Sequence, residues 1–451
     1  MAANGGANPP GPPTRTPAVL VVLDGLGDRP HPETGGRSPV ESAATPCLDS
    51  LVARGELGDL VVVGPGVAPE SDAGVFALLG YDPVKDSPGR GVLEALGVEV
   101  PLVPGDVALR LNFATADGEG TILDSRVGRS LSTGEASDLA RGVTAADLLH
   151  DQGIRAEVRA TVGHRGVLWL HPVEGGRLSP NISNADPFYE KVGGMGQARR
   201  PEHPRILRVE PLDPSAEASR TADAVNLFLE RSAAVLAGHR VNARRAMAGK
   251  KIGNALLVRN AGSLPDPPPV PFEVKHGTPG AALTEMPVER GIARVLGLAD
   301  EYVGPMGPDR DAGYRERARK TRELLERHPF VYVHLKGPDE PGHDGDARRK
   351  QEVVEAIDRS FFGPFLEGLD LDRVRVAVTA DHATPALLKG HSDDPVPLLL
   401  VGAGVAPGPA RGARPPTFGE PAAAAGPLGH RRGADVLDLL LHTDEVRPAA
   451  R

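Results

Sequence analysis

Three short apolar runs, each leading into metal-capable side chains, constrain this 451-residue chain more than anything else in it. Ala18 to Leu23 is followed by Asp24-Gly25, Phe330 to Leu335 by Lys336-Gly-Pro-Asp-Glu-Pro-Gly-His, and Val374 to Val378 by Asp381-His382. Short continuous apolar runs bounded by turn residues read as strands buried on both faces, the mark of a parallel sheet. In open α/β sheets ligands collect beyond the carboxyl ends of the strands. The carboxylates and imidazoles after these runs therefore fall where chemistry is expected, and His391 comes nine residues after His382. Each feature also has a plainer reading. Asp-Gly is a common turn pair, Asp-His suits a surface turn, and a His before Ser-Asp-Asp suits a solvated loop.

The remaining bulk properties exclude more than they assign. Hydrophobic residues make up 40% and charged residues 25%, ordinary for a soluble globular chain with one to three domains. The net charge of −9 argues against a nucleic-acid surface, which calls for a basic domain. A single cysteine, Cys47, rules out an intramolecular disulfide and fits a reducing cytoplasm. No apolar run reaches the ~18 residues of a membrane span. Met1 to Pro17, rich in Ala, Gly, Asn and Pro, reads as a disordered tail rather than a signal segment.

Other stretches supply partners for the strand ends. Thr45-Pro-Cys-Leu-Asp reads as a capped helix start, and Gly58 to Val63 as a returning strand. A Gly/Pro-rich loop from Pro65 leads to Ser71 and a helix-compatible apolar run. Ser71 then stands at a helix N-terminus, where free N–H groups favour an alkoxide or a phosphoserine; a plain helix cap is the competing reading. Between Ala114 and Lys275 strand-like and helical pieces alternate, with arginines such as Arg126, Arg129, Arg165, Arg244 and Arg259 beside polar turns. A guanidinium fork matches phosphate and carboxylate oxygens, although most arginines are solvated surface. Pro265 to Pro271 reads as a stiff linker back to the first domain. Met286 to Leu298, Arg315 to Arg327 and Arg349 to Phe362 read as helices. Asp339 and His343 lie four apart, so one helical turn aims them the same way.

Taken together, Asp24, Asp339, Asp381, His343, His382, His391 and Ser71 suffice for two divalent ions ~3.5–4 Å apart, as in in-line phosphoryl transfer. Mixed Asp/His ligation suits Mn²⁺ or Zn²⁺ ahead of Ca²⁺ or Mg²⁺. We expect Mn²⁺ first, with Zn²⁺, Co²⁺ or Mg²⁺ as alternatives.

The chain resembles the archaeal-type cofactor-independent phosphoglycerate mutases of the alkaline phosphatase superfamily. The stretches that carry the resemblance are Asp24-Gly-Leu-Gly-Asp-Arg-Pro, Ser71-Asp with Leu79-Gly-Tyr-Asp-Pro, and Gly89-Arg-Gly-Val-Leu-Glu-Ala-Leu-Gly. Pro104-Gly-Asp-Val-Ala-Leu-Arg-Leu-Asn-Phe, Lys336-Gly-Pro-Asp-Glu-Pro-Gly-His-Asp-Gly-Asp, Asp381-His-Ala-Thr-Pro and His391-Ser-Asp-Asp-Pro add to them.

The resemblance implies an α/β fold: a phosphatase-like core over 18–110 and 276–451, with a mostly parallel sheet and helices on both faces. A smaller α/β domain over 111–275 is inserted to bind substrate. It implies that Ser71 takes the phosphoryl group of 3-phosphoglycerate or 2-phosphoglycerate and returns it to the other hydroxyl. Asp24, Ser71, Asp381 and His382 would hold one ion, and Asp339, His343 and His391 the other. Lys336 would touch the phosphoryl group, and Arg126, Arg129 and Arg165 would bind the small anionic substrate. Neither nucleic acid nor membrane is an expected partner, and the oligomeric state is left open.

Three departures bear on the substrate. Glu70 stands where the family has Gly before the serine, and Lys336-Gly-Pro-Asp replaces Lys-Gly-Thr-Asp. Gly253-Asn-Ala-Leu-Leu-Val-Arg-Asn-Ala-Gly replaces an Ala-Asn…Arg-Gly-Ala-Gly segment. They motivate an alternative: a phosphotransferase, phosphatase or phosphonate-processing enzyme acting on another small phospho or phosphono acid in specialised metabolism. A metal-binding protein without catalysis is a third reading, which the intact Ser71 argues against.

Overall fold

The computed structural model describes residues 16–173, 175–192, 195–199, 201–406 and 417–441. All of the expected N-terminal tail except Thr16 and Pro17 lies outside the described residues. The strands in chain order are β1 (Ala18–Leu23), β2 (Glu56–Val61), β3 (Val107–Ala116), β4 (Ile122–Asp124), β5 (Ile154–Ala160), β6 (Arg165–Pro172), β7 (Tyr189–Val192), β8 (Met195–Ala198), β9 (Ala255–Gly262), β10 (Gly280–Thr284), β11 (Ala299–Tyr302), β12 (Phe330–Leu335), β13 (Arg375–Thr379), β14 (Val396–Gly402) and β15 (Gly429–Arg432).

Eight of them form one sheet in the order β11-β10-β12-β1-β13-β14-β2-β15. Only β14 pairs antiparallel with its neighbours, so the sheet is mostly parallel. Every residue of β1, β12 and β13 is buried, as their apolar sequences require once helices cover both faces. Register aligns the strand ends. Leu23 pairs with Leu335 and Val22 with Thr379. The three central strands therefore end together, and the segments that begin at Asp24, Lys336 and Ala380 leave the sheet side by side.

The second sheet contains β3, β4, β5, β6 and β9, all paired antiparallel. Helices Thr133–Ala145 and Ala216–Ala237 pack on it. Each sheet has its own apolar core. A third cluster, with Val92, Ala95, Ala108, Val167 and Trp169, joins helix Arg90–Gly97 to the second sheet. The expected division at residues 110–111 cuts β3, which pairs with β6 from Val107 onward. The chain therefore passes to the second sheet by residue 107, and Leu109 and Leu111, on either side of the expected division, both belong to the second core.

Two local expectations are corrected. Thr45 precedes helix Pro46–Val52 but makes no capping bond; its hydroxyl instead faces Asp49 Oδ1 at 3.3 Å. The helix expected over Arg349 to Phe362 is α-helical over Ala347–Ile357 and continues as a π-turn over Asp358–Phe362. Asp358, buried there, accepts the backbone N–H groups of Cys47 and Leu48 at 3.1 and 2.8 Å. That satisfies the N-terminus that Thr45 leaves uncapped.

Candidate metal centre

Asp24 leaves β1 into a turn at Gly25, whose φ of 61° suits glycine. A Cβ there would lie 2.6 Å from Thr384 Oγ1 and 2.7 Å from Asp339 Oδ1, so the loop approaches its neighbours backbone-first. Gly25 N–H donates to Asp381 Oδ1 at 3.0 Å, tying the end of β1 to the segment after β13. Beyond β12, Asp339 opens the short helix Asp339–Asp344 and His343 lies one turn later. Pro338 precedes that helix, at a point where no intrahelical N–H is needed. Ser71 is the first residue of helix Ser71–Leu78, and the preceding residue, Glu70, makes no side-chain cap.

All seven residues expected as ligands converge. Ser71 Oγ lies 3.5 Å from Asp24 Oδ1 and 3.3 Å from His382 Nε2. His382 Nε2 is 3.5 Å from Asp24 Oδ1 and 3.4 Å from Asp381 Oδ2. On the other side, His343 Nε2 and His391 Nε2 each lie 3.5 Å from Asp339 Oδ1 and 3.2 Å from one another. Asp339 also reaches toward the first group, because its donor atom and those of Asp24 and His382 all lie within 4.8 Å of one another. His391 Nδ1 lies 2.8 Å from Pro69 O and His343 Nδ1 3.4 Å from Lys389 O. Carbonyls accept only, so each Nδ1 carries a proton and each Nε2 faces the group.

The donor set fits divalent cations. Carboxylate oxygens and imidazole nitrogens face each other across gaps of 3.2–3.7 Å, and two buried atoms, Asp381 Oδ2 and His334 Nε2, have no hydrogen-bond partner among the described residues. Orphaned buried polar atoms are costly unless something pairs with them. Nearby basic groups balance the negative charge. Burial would raise Asp24, but the Lys336 ammonium and contacts from His334 and His382 hold its carboxyl well below the usual range. Burial would lower Lys336, yet Asp24 and Glu289 push it above its ordinary value. Lys336 Nζ sits 3.2 Å from Asp24 Oδ2 and 3.0 Å from Glu289 Oε1.

Several site residues carried no sequence signal. His334 belongs to the apolar run of β12, yet its Nε2 lies 3.4 Å from Asp381 Oδ2 and 3.7 Å from Asp24 Oδ1. Glu289 is buried at the start of helix Pro287–Leu296. Its Oε2 accepts the N–H groups of Glu285 and Met286, which leaves Oε1 for Lys336. Thr384 Oγ1 bonds both Asp339 and His382. An acid two residues into a helix or a Thr after Asp-His has many ordinary roles, so only the fold singles these out.

The three expected substrate arginines sit on the side of the second sheet. Arg165 begins β6, while Arg126 and Arg129 line a cavity of about 380 Å³ with Ser125 and Phe188. With Arg259 their charges act on His164. Burial, then Arg165, Arg126, Arg129 and Arg259, hold its imidazole down to about 4. Nearer the nucleophile stand Arg90 and Arg110, which the sequence did not single out. Arg90 Nη1 is 2.8 Å from Glu70 Oε2 and 3.4 Å from Asp72 Oδ1. Arg110 Nε is 3.0 Å from Glu94 Oε1, and its Nη1 is 3.8 Å from Glu70 Oε2. Burial would raise the Glu70 pKa, but Arg90, Arg110 and Arg259 lower it, so the carboxylate beside Ser71 is charged and paired.

Comparison with known proteins decides what this arrangement belongs to. A family model described as 2,3-bisphosphoglycerate-independent phosphoglycerate mutase matches residues 53–242. A protein of that name from Aeropyrum pernix is 45% identical over 385 residues, covering 85% of this chain and 90% of the relative. This chain belongs to that family. Family members are enzymes, and two solved structures extend the likeness to the fold. A Pyrococcus horikoshii protein shares 29% identity at a TM-score of 0.74, covering 97% of this chain and 100% of that one. The cofactor-independent phosphoglycerate mutase from Thermoplasma acidophilum shares 31% at 0.61, covering 94% and 98%. Among the described residues of this mutase-family chain, no helix is long and apolar enough to cross a membrane.

Proposed function

We propose that this chain interconverts 3-phosphoglycerate and 2-phosphoglycerate in the cytoplasm through a phosphoserine at Ser71, with two divalent cations, Mn²⁺ first. The observation that carries the reading is the position of Ser71 Oγ. It lies at a helix N-terminus, 3.5 Å from Asp24 Oδ1 and 3.3 Å from His382 Nε2, in a chain of the mutase family.

Asp24, Ser71, Asp381 and His382 would hold one cation, and Asp339, His343 and His391 the other. Bound cations would lower the pKa of the Ser71 hydroxyl and neutralise charge on phosphoryl oxygens. The residues of the chain supply the rest. Ser71 Oγ attacks phosphorus, the bond from phosphorus to the glycerate oxygen breaks, and the hydroxyl proton ends on that oxygen. The N–H groups of the Ser71 helix and the Lys336 ammonium face the transferred phosphoryl group. Arg126, Arg129 and Arg165 hold the carboxylate while glycerate reorients. The other hydroxyl then takes the phosphoryl group from Ser71, and the proton returns to Oγ. Water competes with glycerate as acceptor, so the second sheet must stay closed over the first during this interval.

A second reading keeps this chemistry and changes the substrate to another small phosphorylated acid. It draws on Glu70, whose carboxylate occupies Arg90 and approaches Arg110 beside the nucleophile. An enolase-coupled assay of Mn²⁺-loaded protein on 3-phosphoglycerate, with mass spectrometry of the Ser71 peptide, separates the two. Turnover with phospho-Ser71 supports the first. Phospho-Ser71 formed only from another acid supports the second. Absence of phospho-Ser71 from every donor overturns both.

A further inference from the structure

We infer that Thr384 is a positioning residue that orients one ligand of each cation position at once. The inference rests on the proposed two-cation reading.

Thr384 is fully buried in the loop after β13. Its hydroxyl has one proton, and Oγ1 donates it to Asp339 Oδ1 at 2.7 Å. The 3.0 Å contact with His382 Nδ1 must then be an imidazole N–H donating to the hydroxyl oxygen. A single side chain thus joins Asp339, which His343 and His391 face, to His382, which faces Ser71 and Asp24. Protonation at Nδ1 leaves the Nε2 lone pair directed into the first group. The bond to Asp339 fixes the carboxylate rotation that keeps Oδ1 3.5 Å from both other imidazoles.

The loop that carries the hydroxyl is itself held on two sides. Lys350, with no exposed surface, donates from Nζ to Thr384 O at 2.9 Å, Gly27 O at 3.1 Å and Asp28 Oδ2 at 2.9 Å. Asp28 in turn accepts the Ala386 N–H at 3.1 Å, so the loop is anchored on both sides of Pro385. Gly25 closes the remaining space, since a Cβ there would stand 2.6 Å from Thr384 Oγ1. Neither Thr384 nor Lys350 is among the seven ligands, and their effect on an ion passes through Asp339 and His382. Partners that orient metal ligands in this way commonly carry a ten- to hundredfold share of affinity.

Metal-free wild type, Thr384→Val and Thr384→Ser are to be titrated with Mn²⁺ by calorimetry, with bound ions counted after desalting. Wild type and Thr384→Ser should each bind two ions. Thr384→Val should bind both of them roughly ten- to a hundredfold more weakly. Because affinity is measured on folded, metal-free protein, a general loss of stability does not produce this pattern. Wild-type affinities in Thr384→Val overturn the inference, and so does weakening of one ion alone. If Thr384→Val does not fold, Thr384→Ala carries the same expectation. Fewer than two ions on wild type overturns the two-cation reading and the inference with it.

Discussion

Arg90 is the residue on which the surroundings of Ser71 depend most. One guanidinium, largely buried, faces Glu70 at 2.8 Å, Asp72 at 3.4 Å and Glu94 at 3.4 Å. Burial and the Glu70 charge raise Asp72 despite Arg90, so the local balance is already tight. Removing one partner of a buried ion pair leaves uncompensated charge and costs about 3–5 kcal/mol. Arg90→Met should therefore lower stability by about that amount in denaturant titration, whereas Arg90→Lys should lose less. A methionine variant as stable as wild type would mean that Arg110 alone suffices. His164 reports on the other arginines. Its folded pKa is about 4, against about 6.5 for an unfolded imidazole. The unfolded chain therefore binds the extra proton between those values, and the His164 contribution to stability is lost as pH falls from 6.5 toward 4. Arg126→Met should move the His164 midpoint upward in an NMR titration. A wild-type midpoint near 6.5 would remove the case that the four guanidinium groups converge there.

At the scale of elements, helix Arg90–Gly97 and helix Pro287–Leu296 cross with glycines at the contact. A Cβ on Gly97 would collide with Pro287 O, and one on Gly291 with Leu93 O. Both neighbours are backbone and cannot turn aside. Gly291→Ala should cost about 1–3 kcal/mol through overpacking, read from the denaturation midpoint. It should also displace Glu289, two residues earlier, from Lys336, so the Mn²⁺-loaded enzyme should lose turnover as well as stability. Unchanged activity with reduced stability would confine the effect to packing. The elements also show what a sequence can disclose. Strands β1, β12 and β13 are legible because both faces are buried, so their apolar runs are continuous and their ends are sharp. The candidates Asp24, Asp339, Asp381 and His382 are legible because they sit within a few residues of those ends, whereas Ser71, His343 and His391 lie farther out and are picked up from the helix start and the residue types around them. Short strands such as β10, β11 and β15 leave too few residues to show a period. The passage to the second sheet fell inside the expected core because β3 begins in apolar sequence no different from a core strand. Arg90, Arg110, Glu289 and His334 were out of reach for another reason. Their roles depend on crossings between distant segments, and nothing local distinguishes them from ordinary helix or strand residues.

Across the whole molecule, the candidate ligands come from one sheet and its loops, while the second sheet contributes arginines. The two sheets have separate apolar cores, joined through helix Arg90–Gly97. Ligands that bind only the native state stabilise it by RT ln(1 + [L]/Kd), about 2.7 kcal/mol at a hundredfold excess over Kd. The stabilisation belongs to whichever unit must unfold to release the ion. Chelation should therefore lower the protection of β1, β12 and β13 in hydrogen exchange, where Asp24, Lys336 and the Asp381 segment leave the sheet. Protection of β5 and β6 should change little, because those strands draw on their own core. Equal loss in both sheets would show that the Arg90–Gly97 helix couples them into one cooperative unit. In that case a loss of stability in the second core would be felt in the first sheet as well. Hydrogen exchange of Val158→Ala, a substitution within the second core, distinguishes the two architectures: protection of β1, β12 and β13 unchanged for independent sheets, reduced for a single unit.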